Sequence, residues 1–304
     1  MKELNKYFDH TLLKPEATKE QIKKLCAEAK EYDFYSVCVN GCHVSLAAKE
    51  LKGTDVKVAA VIGFPLGAMS SDVKAYETMR CCEDGASEID MVMNIGAMKE
   101  KDYIYVASDI AGVVETASKY GAIVKVILET CLLTNEEISK ACKIAADAGA
   151  AFVKTSTGFS TRGASAAHVK LMKNRVAGRA QVKASGGIRD LKTVQEMIKA
   201  GADRIGASAS VAIMKNTRKH KNRKFKAGVI TPAIFSVYIS HSDGNPHSSS
   251  SGGPSSSSIM ASLVIPQNTK ADMPFSSSIS TVVSTSNLSS SPSCSRACCT
   301  VIYS

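Results

Sequence analysis

The sequence lacks the patterns that mark a metal enzyme, a dinucleotide-binding sheet or a membrane protein. It contains no His-Glu-x-x-His motif, no Cys-x-x-Cys motif and no acidic cluster, so we expect neither a metal ion nor a cofactor. A Rossmann fold has a glycine-rich fingerprint directly after its first strand. The first strand-like run of this chain, which includes residues 9–13, is followed by no such fingerprint. No apolar run approaches the ~20 residues that cross a bilayer. We therefore expect a soluble protein without a membrane partner.

A secretory signal is also missing, because residues 1–6 are mostly polar and have no apolar core. Three cysteines near the carboxyl terminus, Cys294, Cys298 and Cys299, have no histidine partners at zinc-finger spacing, so we expect no metal site there. The other cysteines are scattered, mostly within apolar segments: Cys26, Cys38, Cys42, Cys81, Cys82, Cys131 and Cys142. This usage predicts buried, reduced thiols in a cytoplasmic protein.

The chain of 304 residues changes composition near residue 216. Residues 1–215 carry regular helix and strand signals, whereas residues 216–304 are first basic and then serine-rich. Ordering a backbone costs ~1–2 kcal/mol per residue, and the tail has too little apolar surface to offset that cost. We therefore expect a disordered tail, with residues 1–216 folding and working without it. The basic run 218–226 supplies much of the net charge of +10, and we interpret it as a solvated linker and not as a nucleic-acid contact.

Eight short apolar runs predict eight β-strands, separated by stretches with the apolar spacing of amphipathic helices. The predicted strands are Phe8–Leu12, Ser36–Val39, Val56–Ile62, Glu88–Val92, Ile123–Glu129, Ala151–Thr155, Ala180–Ala184 and Asp203–Gly206. Thr18 with Gln21, and Thr134 with Glu137, predict capping boxes at the starts of two helices. The runs are almost continuously apolar, as parallel strands buried on both faces are. Eight such units favour a closed (β/α)8 TIM barrel over an open sheet.

Two lysines each end one of these buried runs, Lys154 on the sixth and Lys183 on the seventh. Low dielectric and a second ammonium nearby both lower the pKa of a lysine. An amine that is partly unprotonated at neutral pH can form a Schiff base with a carbonyl compound. A lysine that only extends from a strand end to solvent is the structural alternative. The small residues and glycines that follow both lysines favour catalysis, but the sequence does not distinguish the nucleophile from its neighbour.

Asp90 lies on the fourth predicted strand, where a buried acid needs a partner. A lysine ammonium would be such a partner, and the pair could transfer protons during carbinolamine formation and dehydration. A plain ion pair is the alternative. Because catalytic groups of a TIM barrel lie at the carboxyl ends of its strands, we expect Asp90, Lys154 and Lys183 at one mouth. Further polar candidates for this pocket are Asp9, Thr11, Asn40 and Glu88. Lys125 and Glu129 lie on one face of the fifth predicted strand, and a buried structural ion pair explains them at least as well as a catalytic role does.

Two loops rich in glycine and serine follow the seventh and eighth predicted strands, at residues 185–189 and 206–210. In TIM barrels these two loops and a helix N-terminus form a recurrent phosphate site. Adjacent glycines let the backbone approach an anion closely. The predicted ligand is therefore a phosphorylated small molecule that carries a carbonyl group.

Together these motifs resemble the deoxyribose-phosphate aldolase family over about residues 1–215. The resemblance is carried by residues 9–13, 88–92, 153–158, 183–189 and 206–208. It implies a metal-independent class I aldolase of the aldehyde-lyase type. Such an enzyme reversibly cleaves 2-deoxy-D-ribose 5-phosphate to D-glyceraldehyde 3-phosphate and acetaldehyde, a reaction of deoxyribonucleotide catabolism and carbohydrate degradation.

The resemblance also implies roles for individual residues. Lys154 would form the Schiff base, Lys183 would lower its pKa and take part in proton transfer, and Asp90 would be the acid/base partner. The residues expected to hold the substrate and its phosphate are Gly186, Gly187, Gly206, Ser208 and Thr157. The tail is the main departure from the family, and we assign no role to Tyr303, since the segment around it matches nothing in the family.

Two other functions remain open at this point. One is another lysine-dependent sugar-phosphate aldolase or a transaldolase, which would keep the Schiff base and use a different donor. The other is a barrel that carries a nucleic-acid-binding or partner-binding tail. The expected partner is a phosphorylated sugar, and the sequence leaves a homodimer open.

Overall fold

The computed structural model describes residues 3–217. The predicted disordered tail and the basic run 218–226 lie outside the described residues, so the domain boundary near residue 216 stays a prediction.

Eight parallel strands close into a barrel in the order in which they occur along the chain. They are β1 (Phe8–Leu12), β2 (Ser36–Asn40), β3 (Lys57–Ile62), β4 (Glu88–Val92), β5 (Ile123–Ile127), β6 (Phe152–Lys154), β7 (Gln181–Ser185) and β8 (Arg204–Ala207). The prediction of a TIM barrel is confirmed, and every predicted strand limit lies within two residues of the observed one.

Helices follow the strands and cover the outside of the barrel. They are α1 (Lys19–Glu31), α2 (Val44–Glu50), α3 (Ser71–Glu83), α4 (Ile95–Lys99), α5 (Tyr103–Ser118), α6 (Asn135–Asp147), α7 (Ala166–Val176) and α8 (Leu191–Lys199). A ninth helix, α9, starts at residue 210 and continues to residue 217, where the description ends. Both predicted capping boxes are present, formed by Thr18 with Gln21 and by Thr134 with Glu137. Within residues 3–217, no helix combines the length and the apolar character needed to span a bilayer.

The strands bury apolar side chains on their outer face. On their inner face they bury both apolar and charged side chains. Outward residues pack with the helices into one large apolar cluster. Inside the barrel, Leu13, Cys38, Ala59 and Val61 form a second, small apolar cluster along β1–β3. Much of the rest of the interior is filled by charged side chains, which is unusual for a barrel core and needs internal pairing.

The described cysteines are free thiols. Five of them are buried, Cys42 is exposed and Cys131 is partly exposed. The expectation of buried thiols thus holds except at these two positions. Burial raises the pKa of Cys26 to about 11 and that of Cys142 to about 12, so both stay protonated at neutral pH.

Candidate active site

Seven charged side chains from six strands meet inside the barrel, and none is more than 3% exposed. They are Asp9 on β1, Glu88 and Asp90 on β4, Lys125 on β5, Lys154 on β6, Lys183 on β7 and Arg204 on β8. Side chains alternate between the two faces of a strand, so Glu88 and Asp90, two residues apart, both point inward. Burying so many charges is tolerable only because each one has a partner of opposite sign.

The strand register brings the two predicted lysines side by side. Lys154 on β6 pairs directly with Lys183 on β7, and Asp90 on β4 pairs directly with Lys125 on β5. Asp90 Oδ2 accepts hydrogen bonds from Lys154 Nζ at 2.8 Å and from Lys183 Nζ at 2.7 Å. Asp90 Oδ1 accepts another from Lys125 Nζ at 2.7 Å. The structure therefore brings Asp90, Lys154 and Lys183 together around one carboxylate.

The surroundings of the two predicted lysines push their pKa values in opposite directions. Burial lowers the pKa of Lys154, and the positive charge of Lys183 lowers it further, against the opposing effect of Asp90. Burial also disfavours the Lys183 ammonium, but Asp9 and Asp90 outweigh it and raise the pKa of Lys183 above its ordinary value. Lys154 is thus the amine that loses its proton more readily, a distinction that the pattern of residues around the two lysines did not make.

Asp90 stays ionised in spite of its complete burial. Burial favours the neutral acid, but Lys125, Lys154 and Lys183 together hold the pKa of Asp90 well below its usual range. A carboxylate in contact with three amino groups can accept a proton from one of them and return it to another. The arrangement can therefore move protons next to a nucleophilic amine.

On the amino-terminal side of these groups, sequence reasoning missed Arg204 and did not predict how Asp9 is paired. Asp9 Oδ2 lies 2.5 Å from Lys183 Nζ, and Arg204 Nη1 lies 2.6 Å from Asp9 Oδ1. Arg204 was not singled out, although an arginine at the start of a short, otherwise apolar strand was a usable signal. Asp9 was named only as a polar group of the pocket.

The proposed pairing of Lys125 with Glu129 is wrong. Lys125 Nζ instead lies 2.6 Å from Glu88 Oε2, on the neighbouring strand β4. Glu129 follows the end of β5 in a left-handed conformation with φ of 54°, which turns it away from the line of the strand. Its carboxylate accepts hydrogen bonds from the hydroxyl and the backbone N–H of Thr157. Two residues on one face of a regular strand would have stayed close, but the strand ends before Glu129.

Thr157 lies in the loop after β6 and is buried. Its hydroxyl donates to Glu129 and accepts from the backbone N–H of Phe159 at 3.0 Å. The structure thus connects this predicted substrate-side residue to Glu129, which orients it.

The predicted phosphate loop after β7 has the backbone shape that glycine allows. Gly186 and Gly187 have φ of 86° and 75°, a region that other residues rarely adopt. The loop after β6 packs tightly against it, because a Cβ on Gly163 would lie 2.1 Å from the carbonyl oxygen of Gly186. Gly163 was not predicted, since nothing in a single sequence shows which loops touch.

The two remaining phosphate candidates lie in different surroundings. Ser208 is exposed and comes just before α9, whose first turn begins with a hydrogen bond from the Ile213 N–H to the Ala209 carbonyl. Gly206 lies instead beside the Lys183 side chain, because a Cβ placed on Gly206 would be 3.0 Å from Lys183 Cε. Ser208 is thus placed to meet an anion at a helix N-terminus, whereas Gly206 makes room for the Lys183 side chain.

Comparisons with known proteins point to one family. The sequence model of the DeoC/LacD family aldolases matches residues 4–231. The deoxyribose-phosphate aldolase of Clostridium tetani is 60% identical over 216 residues, which cover 71% of this chain and 100% of that protein. The deoxyribose-phosphate aldolase of Clostridium novyi is 59% identical over 215 residues, covering 71% of this chain and 96% of that protein.

A solved structure shows the same likeness in three dimensions. The tetrameric deoxyribose phosphate aldolase of Aeropyrum pernix superimposes with a TM-score of 0.68 at 34% sequence identity. The match covers 71% of this chain and 92% of that one.

Proposed function

Since the chain belongs to the DeoC/LacD family of aldolases, we propose that it reversibly cleaves 2-deoxy-D-ribose 5-phosphate to D-glyceraldehyde 3-phosphate and acetaldehyde through a Schiff base on Lys154. The observation that carries this function is the buried trio around Asp90. Lys154 has a lowered pKa, and Lys183, the proton source beside it, has a raised one. Two lysines thus acquire different roles from their surroundings, one as the nucleophile and the other as the acid.

The reaction begins at the aldehyde carbon of the open-chain sugar. The unprotonated Lys154 Nζ attacks this carbon, and the carbinolamine that forms loses water to give an iminium ion. The iminium withdraws electrons from the bond between C2 and C3. When the C3 hydroxyl gives up its proton, that bond breaks and D-glyceraldehyde 3-phosphate leaves. Protonation of the remaining enamine at C2, followed by hydrolysis, releases acetaldehyde and restores Lys154.

Each of these reaction steps requires the transfer of a proton, and we assign these transfers to the groups around Asp90. The Lys183 ammonium, 2.7 Å from Asp90 Oδ2, supplies the proton with which the carbinolamine hydroxyl leaves as water. Asp90 Oδ2 is also in contact with Lys154 Nζ at 2.8 Å, so it can pass protons between the two amines. Lys183 and Asp90 thus serve as acid/base partners of the nucleophile.

Asp90→Asn tests the proton-transfer role. An amide keeps the shape but cannot carry a proton between the amines, so we expect kcat to fall by about 10²–10⁴-fold with little change in KM. Steady-state kinetics with 2-deoxy-D-ribose 5-phosphate measures both constants. A rise in KM alone, with kcat preserved, would make Asp90 a positioning group only.

We assign the 5-phosphate to the mouth formed by the loops after β7 and β8, with Gly186, Gly187 and Ser208 nearest to it and Gly206 behind them. The support is the positive φ of the two glycines and the exposure of Ser208 at the start of α9. Thr157, oriented by Glu129, is assigned to the sugar side of the same pocket.

Gly163→Ala tests this phosphate site. The added methyl group would be 2.1 Å from the Gly186 carbonyl oxygen, so the phosphate loop has to move. We expect KM for 2-deoxy-D-ribose 5-phosphate to rise at least about tenfold, the equivalent of ~1.4 kcal/mol of binding, with a much smaller effect on unphosphorylated 2-deoxy-D-ribose. Gly112→Ala on α5 is the matched control, since its added Cβ would meet nothing within 4 Å outside the adjoining backbone of its own helix. Equal losses for both sugars would place the phosphate elsewhere.

The overall function is tested in the synthetic direction. The protein is incubated with D-glyceraldehyde 3-phosphate and either acetaldehyde or dihydroxyacetone, and the products are separated by chromatography. Acetaldehyde should be the accepted donor. Activity should also survive EDTA, because the iminium already provides the electron sink that a metal ion would supply. Preference for dihydroxyacetone, or loss of activity on chelation that zinc restores, would contradict the assignment.

Two further predictions concern the location of the protein in the cell and its assembly. A cytoplasmic location is supported by the free thiols of the described cysteines, which fit a reducing compartment. Assembly as a homodimer stays a prediction, and light scattering coupled to size-exclusion chromatography would measure the mass directly.

A further inference from the structure

Six of the seven buried charges form a closed ring in which cations and carboxylates alternate, hereafter the charge ring. Its successive contacts are Arg204–Asp9 at 2.6 Å, Asp9–Lys183 at 2.5 Å, Lys183–Asp90 at 2.7 Å, Asp90–Lys125 at 2.7 Å, Lys125–Glu88 at 2.6 Å and Glu88–Arg204 at 3.1 Å. Asp9 and Asp90 use one oxygen for each of their two ring neighbours, whereas Glu88 Oε2 contacts both Lys125 and Arg204. The ring therefore holds three positive and three negative charges and is neutral as a whole.

Lys154 is the seventh charge and lies outside this balance. Its ammonium has one carboxylate contact, with Asp90 Oδ2, and that oxygen already accepts a hydrogen bond from Lys183. A protonated Lys154 would leave the buried cluster with one surplus positive charge, which a low-dielectric interior strongly disfavours. Loss of the Lys154 proton removes the surplus without breaking the ring.

Arg204 closes the ring at the end farthest from the nucleophile. Its guanidinium stays protonated at any working pH, so it is a permanent charge. Nη1 donates to Asp9 and to Glu88, and Nη2 donates to Glu88. The guanidinium carbon lies 3.4 Å from the centroid of the Tyr35 ring. The two carboxylates thus gain a fixed position and present oxygens to Lys183 and Lys125.

We propose that Arg204 and Glu88 are positioning residues that set the protonation of the Lys154 amine through the charge balance of the ring, without touching the substrate: the charge of Arg204 favours the free amine, and that of Glu88 opposes it. The inference rests on the proposed role of Lys154 as nucleophile. It assigns a function to charges at the amino ends of the strands, on the side of the barrel opposite the substrate mouth. The sign of each residue's charge then dictates the direction in which its removal acts.

Removal of a positive charge and removal of a negative charge, in separate variants, should shift the pH midpoint of Schiff-base formation on Lys154 in opposite directions. Arg204→Met leaves the ring one positive charge short, so a protonated Lys154 restores neutrality, and the pH midpoint of Schiff-base formation should rise by about one unit, a tenfold change in proton affinity. Glu88→Gln adds to the surplus and should lower the midpoint. The double variant restores balance and should return the midpoint towards that of the wild type.

The midpoint is measured on the full chain by reductive trapping. Acetaldehyde and cyanoborohydride are added over a range of pH, and peptide mass spectrometry follows the rate of adduct formation on Lys154. Arg179→Met is the matched control. Arg179 lies at the same amino-terminal mouth of the barrel, but it pairs with Asp147 and not with the ring. Its removal should leave the midpoint unchanged.

A cavity next to Arg204 permits a second test by chemical rescue. The cavity has a volume of about 400 Å³ and is lined by Arg204, Tyr35, Phe152 and Gln181 among others, at the amino ends of the strands. In Arg204→Ala, free guanidinium ion can enter from this side and replace the missing charge. Guanidinium should shift the midpoint back towards the wild-type value, whereas sodium chloride at the same ionic strength should not.

The outcomes separate this inference from the proposed function. Unchanged midpoints in Arg204→Met and Glu88→Gln, with the adduct still on Lys154, would overturn the inference and leave the aldolase assignment intact. Shifts of the same sign in both variants would overturn it too, since general damage and not charge balance would then explain them. If Arg204→Met does not fold, the downward shift expected of Glu88→Gln decides alone. Absence of any wild-type adduct on Lys154 would instead reject the proposed function itself.

Discussion

Lys154→Met is expected to abolish cleavage of 2-deoxy-D-ribose 5-phosphate, with a loss in kcat of at least about a thousandfold. Methionine fills nearly the same space but has no amine, so no Schiff base can form. Because Lys154 lies outside the neutral ring of six buried charges and has a single carboxylate contact, its removal should leave the barrel folded and at least as stable as the wild type. Kinetic assays and thermal unfolding followed by circular dichroism measure the two effects.

The position of the covalent adduct checks the same assignment independently. Borohydride reduction in the presence of substrate, followed by peptide mass spectrometry, should label Lys154 in the wild type and nothing in Lys154→Met. Lys199→Met, at the exposed end of α8, is the control and should behave like the wild type. An adduct found only on Lys183 would reverse the roles of the two lysines.

Lys183→Leu is expected to lower kcat by about 10²–10⁴-fold, the usual contribution of a positioned acid or base. The pH dependence should change as well, and the sign follows from the charges. The Lys183 ammonium disfavours a second ammonium at Lys154, so without it Asp90 raises the pKa of Lys154. Less free amine is then present at neutral pH, and the acid limb of the kcat/KM profile should move to higher pH.

Stability separates this effect from simple damage to the core. Lys183 contacts both Asp9 and Asp90, so its removal leaves two buried carboxylates each short of a partner. Breaking a buried pair costs about 3–5 kcal/mol, and we expect a lower melting temperature with a barrel that still forms. A variant that keeps near-normal activity and an unshifted pH profile would show that Lys183 has no part in the chemistry.

The sequence by itself determined the architecture and the chemical type of the site. Apolar runs of strand length, such as Glu88–Val92, predicted the eight strands because both faces of a parallel strand are buried. Thr18 and Thr134 predicted two helix starts because a capping box depends on residues only three apart. Lys154 and Lys183 were identifiable as candidates because a lysine at the end of a buried strand is unusual. These signals are local, so one sequence contains them in full.

Only the tertiary structure decided how these residues act on one another. The choice between Lys154 and Lys183 depends on Asp9, which β1 brings next to β7 and β8 when the barrel closes. Arg204 meets Glu88 across the barrel interior although 116 residues separate them along the chain. Burial and pairing set the pKa of a buried charge, and both come from distant parts of the chain. Local sequence patterns therefore identify the lysines, and the closed barrel determines which one carries the free amine.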